Sequence, residues 1–254
     1  MRLVNFLFTL VSVAVAGSAR TQTAPDSAAD LSTRKFRIVV IGSSTAAGHG
    51  ANPADSAWVN RYRVWLQQIN PENEVLNLAL GGFSTYQLLP STLFPTQYRP
   101  APDTARNITR ALALRPDAIL INLPSNDAAS GYRLEEQLEN FNKIIKKARS
   151  AAVPVWVFTT QPRNFSADKV LIQLLAQRAI LAMFGEQAID VWTGLAEPNG
   201  LLEATYNSGD GTHLNNAGHR FIFEQVKAAG IPEFLARVPE RSWWARLWQG
   251  VRVF

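Results

Sequence analysis

The 254-residue chain contains no cysteine. No disulfide framework staples it, no thiolate holds a metal, no Cys serves as nucleophile, and a lipid-modified Cys anchor is excluded. The fold must rest on its core alone, which a chain of this length can build. Histidine is scarce, with only His49, His213 and His219. His213 and His219 stand six apart, which is not a usual helical ligand pair, so no metal site is expected. Charged residues make up 18% and hydrophobic residues 47%, enough for a packed body. The formal charge of +5 belongs mostly to the ends. Residues 237–254 hold four Arg and one Glu, and Arg2 adds another positive charge, leaving +1 for the rest. That balance gives no basis for a nucleic-acid groove. The chain also lacks a phosphate loop, because no Lys follows its first glycines, and it lacks Gly-x-Gly-x-x-Gly. A flavin or nucleotide binder is therefore disfavoured. The Gly-x-Ser-x-Gly elbow of α/β-hydrolases is missing as well.

What is present at the start has the pattern of an export signal. Arg2 is a short basic region, Val4 to Ala16 is apolar and uncharged, and small residues follow. Either Ala14-Val15-Ala16 or Gly17-Ser18-Ala19 can precede the cleavage point. The other reading is a membrane anchor, but the run is shorter than the roughly 20 residues a spanning helix needs. Residues 1–19 are read as signal peptide, 20–33 as a linker rich in Ala, Ser, Asp and Thr, 34–236 as one domain, and 237–254 as a basic Trp-rich tail. An exported, periplasmic or secreted protein is expected. The tail interleaves Trp243, Trp244 and Trp248 with Arg241, Arg246 and Arg252. It suits a helix in a membrane interface, and equally one packed on its own domain or on a second copy.

Within the domain no repeat is visible, and apolar strand-like runs alternate with helix-like stretches. The strands are expected at Phe36–Ile41, Glu74–Leu78, Asp117–Leu123, Val153–Thr159 and Ala188–Trp192. The helices are expected at Trp58–Ile69, Ala105–Leu114, Leu134–Ala151, Ala167–Phe184 and Leu214–Ala229. This alternation argues for an α/β fold with a parallel sheet of about five strands covered on both faces. Ligands of such sheets bind beyond the carboxyl ends of the strands.

Chemistry-bearing segments begin at or just after those ends, except the last, which holds Asp210 and His213. Ser44 lies in the small-residue turn Gly42-Ser43-Ser44-Thr45-Ala46-Ala47-Gly48, which is either a reactive turn or an ordinary Ser-rich loop or cap. Gly81-Gly82 follows the second strand and is suited to present a backbone N–H, or simply to turn the chain. Asn126 follows the third strand, where its amide suits a developing oxyanion or a plain turn. Asp210 and His213 form Asp-x-x-His, a spacing that sets a carboxylate beside an imidazole or merely caps a helix. Together Ser, His and Asp make an alcohol nucleophilic at neutral pH. Arg163, after the fourth strand, is suited to an anionic or sugar substrate, or is a solvated surface residue. The stretch from Phe83 to Arg99 is aromatic and aliphatic, either walling an acyl or sugar pocket or forming a helix on the core.

In this order the segments resemble the blocks of the SGNH hydrolases, the GDSL esterase/lipase family: Gly42-Ser43-Ser44, then Gly82, then Asn126, then Asp210-x-x-His213. The resemblance spans about Phe36 to Ala229. It implies a three-layer α/β/α sandwich like flavodoxin, with Ser44 as nucleophile and Asp210 and His213 completing a triad. It further implies an oxyanion hole of the Ser44 and Gly82 N–H groups and the Asn126 amide, and no cofactor. The pattern departs at two places: Ser43 stands where the family has Asp, and Pro124 where it has Gly. The resulting expectation is an exported serine esterase acting on short-chain acyl esters, including acetyl groups on carbohydrate, with Arg163 and Phe83 contacting substrate. Acyl transfer to a sugar or lipid acceptor, and a non-catalytic binding module on the same fold, are the alternatives.

Overall fold

A computed structural model of the chain describes residues 31–96, 98–123 and 125–237. The expected signal peptide and all but the first residue of the expected tail lie outside the described residues, as does Pro124. Five strands, β1 (Arg37–Gly42), β2 (Glu74–Asn77), β3 (Ala118–Asn122), β4 (Val155–Phe158) and β5 (Ala188–Ile189), form one sheet in the order β2-β1-β3-β4-β5. Every pairing is parallel. All strands therefore end on one edge, and so do the loops that follow them.

The central strands β1, β3 and β4 read as apolar runs because both of their faces are covered, while the edge strand β2 is only partly buried. Alternate side chains divide between two cores, as the two-residue period of a strand demands. Ile38, Val40, Leu120, Trp156 and Phe158 face one way. Val39, Ile41, Ile119, Ile121 and Val157 face the other. The first face is covered by α2 (Trp58–Ile69), through Trp58, Tyr62 and Leu66, and by α7 (Asn216–Ala228), through Ile222 and Val226. Helix α8 (Ile231–Arg237) adds Ile231 and Leu235 to that side. The second face is covered by α3 (Ile108–Ala113), α5 (Leu134–Ser150) and α6 (Ala167–Phe184), which contribute Ile108, Phe141, Ile144 and Ile180. Two short helical turns, α1 (Ser44–Ala47) and α4 (Asn126–Ala129), start just after β1 and β3. The result is the expected three-layer α/β/α arrangement.

At three boundaries that differ from expectation, a local polar side chain decides. Helix α3 starts at Ile108 rather than Ala105, because the Asn107 side chain accepts the Arg110 N–H and caps it. Helix α7 starts after Asn215, which accepts the Ala217 and Gly218 N–H groups. Strand β5 stops at Ile189, because the Asp190 carboxylate accepts the Trp192 N–H at 2.9 Å and turns the chain. The stretch Phe83–Arg99 forms no long helix. It holds one 3-10 turn, Thr85–Leu88, and beyond it Pro90, Pro95 and Pro100 each remove a backbone donor. Its residues divide: Phe83, Leu88 and Leu89 enter the core, while Phe94 and Tyr98 are exposed. Leu31, in the stretch read as linker, is buried against the first core.

Ile121 sits fully buried in the central strand. Ile121→Ala is expected to cost about 2–5 kcal/mol of unfolding free energy, measured by urea denaturation.

Candidate active site

Strand β1 passes so close to β3 that a Cβ at Gly42 would collide with the Asn122 carbonyl. Only glycine permits that approach. The next N–H, of Ser43, donates to the same carbonyl at 3.1 Å. The chain then turns into α1, whose first residue is Ser44, 6% exposed. Gly48, at φ 92°, closes the turn in the left-handed region. From β2 the Asn77 amide donates to the Ala46 carbonyl at 2.7 Å and pins α1 in place.

Asp210 and His213 lie in a loop that its own side chains have wound tight. Asn207 Oδ1 accepts the Gly209 and Gly211 N–H groups. Asp210 Oδ1 accepts the Thr212 and His213 N–H groups, each at 2.8 Å. Asp210 Oδ2 meets His213 Nδ1 at 2.6 Å. Partial burial alone would raise the Asp210 carboxyl. The hydrogen bonds from the His213 N–H, the His213 ring and the Thr212 N–H outweigh it and hold the group well below the usual carboxylate range. With Nδ1–H donating to Asp210, Nε2 is the ring's acceptor, as a general base requires.

Two links bring this loop to Ser44. The His49 ring lies 5.4 Å from the His213 ring, centroid to centroid. A Cβ on Gly81 would sit 3.0 Å from His49 Cε1 and 3.7 Å from Ser44 Cβ, so His49, Gly81 and Ser44 share one corner. The second link is Gln161, just past β4 and 1% exposed. Its Oε1 accepts the Thr45 hydroxyl at 2.9 Å, and its Nε2 donates to the Thr212 carbonyl at 2.8 Å. One buried carboxamide thus joins the residue after Ser44 to the residue before His213. His219 serves elsewhere. Fully buried, it contacts the His49 carbonyl at 2.9 Å through Nε2 and accepts the Trp58 N–H at 3.4 Å through Nδ1. Burial lowers its pKa and favours the neutral ring that this pattern needs.

Asn126 faces α1 from the β3 side. Its amide donates to Ser43 Oγ at 2.6 Å and to the Phe83 carbonyl at 2.8 Å. Gly82, at φ 86°, has open space where a Cβ would stand. Phe83 turns its ring into the core and its carbonyl toward Asn126. Beneath them the Asp127 carboxylate, 2% exposed, accepts the Thr85 hydroxyl at 2.6 Å and the Thr85 N–H at 3.0 Å. Asn140 donates to that hydroxyl at 2.9 Å. Arg163 is half-buried beside the Asp210 loop, where the Asn164 N–H donates to the Gly211 carbonyl at 2.8 Å. Ser44, Gly82, Asn126, Asp210 and His213 therefore share one edge of the sheet. Gln161, His49 and Asp127 were not singled out from the sequence. Gln161 and Asp127 do lie just past strand ends, which was the available signal.

Residues 40–221 match the profile of the GDSL-like lipase/acylhydrolase family, and the chain belongs to that family. It is an acylhydrolase, a carboxylic ester hydrolase. A search of the curated proteins finds no sequence match. Among solved structures, the chain is similar to a GDSL-like lipase from Bacteroides thetaiotaomicron, with TM-score 0.58 and 17% identity, covering 76% of this chain and 87% of that one. It is similar to the psychrotrophic esterase EstA from Pseudoalteromonas, with TM-score 0.54 and 16% identity, covering 79% and 98%. It is also similar to a two-domain esterase active on acetylated mannans, with TM-score 0.54 and 14% identity; the match covers 85% of this chain and 54% of that longer one. At these identities the likeness bears on the fold.

Burial raises the Asp127 carboxyl to about 6, against the lowering effect of the Thr85 hydrogen bonds. The folded state therefore holds this proton more tightly than the unfolded chain, whose Asp titrates near 3.9. Below about pH 4 the group costs nothing. As pH rises to about 6 the cost grows, and above that it is constant. Asp127→Asn removes the titration. Its stability relative to wild type should rise by roughly 2–3 kcal/mol between pH 4 and pH 6 and then level off, read from urea melts across that range.

Proposed function

We propose that the chain is an exported serine esterase that releases short acyl groups, acetyl groups on carbohydrate among them. The observation that carries this reading is the 2.6 Å bond between His213 Nδ1 and Asp210 Oδ2, on a loop tied through Gln161 to the Ser44 turn. Ser44 Oγ attacks the ester carbonyl carbon and passes its proton to His213 Nε2. The carbonyl oxygen becomes an oxyanion, stabilised by the Ser44 and Gly82 N–H groups and the Asn126 amide. His213 then protonates the departing alkoxide, which leaves as the alcohol. Water attacks the acyl-Ser44 carbonyl, giving its proton to His213, and the acid departs as Ser44 regains that proton. Asp210 holds the imidazole in the right tautomer and offsets the charge it gains in each half.

No organic cofactor or metal enters this sequence of steps. The preference for acetyl esters of carbohydrate is supported by the similarity to an esterase active on acetylated mannans. Export to the periplasm or medium is supported by Arg2 and the apolar run from Val4 to Ala16. Contact of the Trp-rich tail with a membrane surface or a second copy is supported by its interleaved Trp and Arg residues.

Ser44→Ala should lower kcat on p-nitrophenyl acetate by roughly 10⁴- to 10⁶-fold and abolish labelling by a serine-reactive phosphonate. Retention of both rate and label would overturn the reading. Across p-nitrophenyl esters of rising acyl length, kcat/KM should be highest for the shortest chains.

Gln161→Leu cuts both links between the Thr45 and Thr212 segments. A displacement near 1 Å in such a site costs about 100-fold in rate. The variant should therefore lose roughly 10- to 100-fold in kcat with KM little changed, a division that steady-state kinetics on p-nitrophenyl acetate reads directly.

A further inference from the structure

Past Gln161 the chain runs Pro162-Arg163-Asn164-Phe165-Ser166 before entering α6. One end of this segment is clamped to the Asp210–His213 loop, since the Asn164 N–H donates to the Gly211 carbonyl and the Asn164 side chain packs on Gly211. The other end reaches the Asn126 helix, since Lys169 Nζ donates to the Ala129 carbonyl at 3.1 Å. Between them stands the Phe165 ring. The Arg163 guanidinium carbon lies 4.7 Å from its centroid and Lys169 Nζ lies 5.5 Å from it. The segment thus spans from the His213 side of the site to the Asn126 side, with two cations sharing one aromatic ring.

Among the described residues no carboxylate lies within ion-pair distance of Arg163. The acid whose charge reaches it is Asp210, whose oxygens already serve His213, Thr212 and Ser208. Partial burial lowers its pKa, as expected of a cation without a bonded acid, yet a guanidinium stays charged. Asp168 is the carboxylate beside Lys169, and it is held by Ser166 and by backbone N–H groups. The Phe165 ring holds the guanidinium from one side, and a guanidinium donates paired hydrogen bonds in the geometry that matches carboxylate and phosphate.

We propose that Arg163, backed by Phe165 and Lys169, is a subsite for an anionic group, carboxylate or phosphate, carried by the ester substrate. This rests on the esterase reading of Ser44 and His213 and goes past it, to the charge of the molecule that is cleaved. A neutral acetylated sugar would leave the guanidinium edge without a counter-charge. An acidic sugar ester, or an ester with a phosphate on its alcohol part, would supply one.

The test compares three phenyl acetates that differ in the para group: 4-acetoxybenzoate, 4-acetoxyphenyl phosphate and the neutral 4-acetoxybenzamide. In wild type, kcat/KM for an anionic ester relative to the amide should exceed that ratio in Arg163→Gln by roughly tenfold or more, and the difference should shrink in high salt. Loss of the advantage for one anion alone identifies which group the subsite takes. An anion-to-amide ratio that Arg163→Gln leaves unaltered overturns the proposal and points to a neutral substrate. A second arm separates this from failure of the esterase reading. Calorimetry of 4-acetoxybenzoate and 4-acetoxyphenyl phosphate with Ser44→Ala protein, with and without Arg163→Gln, needs no turnover. Binding of either that the second substitution removes supports the subsite even if wild type hydrolyses none of the three esters. Absence of binding to both overturns it.

Discussion

A single buried carboxamide sets the separation on which the site depends. Gln161 accepts a hydrogen bond from the Thr45 hydroxyl and donates one to the Thr212 carbonyl. Its own backbone carbonyl accepts from Gln173, on α6, at 3.1 Å. Ser44 and His213 are 169 positions apart in sequence, and each stands on a turn of a few residues. Sheet geometry alone brings those turns to the same edge with a tolerance of ångströms. A proton transfer needs closer control than that. The carboxamide is suited to this because it is neutral, planar and able to donate and accept at once. A charged group at this depth would need a counter-charge, and an apolar one would leave the Thr45 hydroxyl and Thr212 carbonyl unpaired.

The other half of the site is held by a different device. Asp127 is a buried carboxylate, and keeping it charged is costly. It spends its oxygens on Thr85, which is in turn fastened by Asn140 from α5. Thr85 lies three residues past Gly82, and Asp127 immediately follows Asn126. The bond therefore ties the loop after β2 to the helix after β3, and so the Gly82 N–H to the Asn126 amide. A buried charge is a poor source of stability. Its value here is directional, since an ionised acceptor draws its donors into shorter and better-aligned bonds.

Much of this was legible in the sequence, and the boundary between what was and what was not is physical. Helices Trp58–Ile69 and Ala167–Phe184 were bounded correctly, as the first stops before Pro71 and the second before Gly185. The central strands were visible because burial on both faces leaves an apolar run that polar residues interrupt only at the ends. Asp210-x-x-His213 was readable because both partners are local. Gln161, His49 and Asp127 were not, because their partners lie in segments distant in sequence and glutamine after a strand carries no pattern of its own. Short turns such as Ser44–Ala47 and Asn126–Ala129 also escape periodicity, which needs two or more turns to register. Phe83–Arg99 stayed open between a pocket wall and a helix for a related reason. Its apolar residues serve two ends, core and surface, and Pro90 and Pro95 interrupt the backbone donors a long helix would need.

The departure at position 43 follows from what surrounds it. Ser43 is fully buried, and its hydroxyl accepts from the Asn126 amide at 2.6 Å. The same amide nitrogen donates to the Phe83 carbonyl, so both of its hydrogens are engaged before substrate arrives. An oxyanion that claims one of them must displace either a carbonyl or a hydroxyl. A hydroxyl is the easier group to displace, since it can rotate and turn its lone pair or its proton as needed. A carboxylate at 43 would hold the amide by charge and compete with the oxyanion for it. With Ser there, Asn126 is held in place at rest by a neutral partner, which under the proposed mechanism is the one the forming charge would displace. Preorganisation of this kind stabilises the transition state only when the donor binds it better than it binds the ground state, and a weak resting partner is one way to arrange that difference.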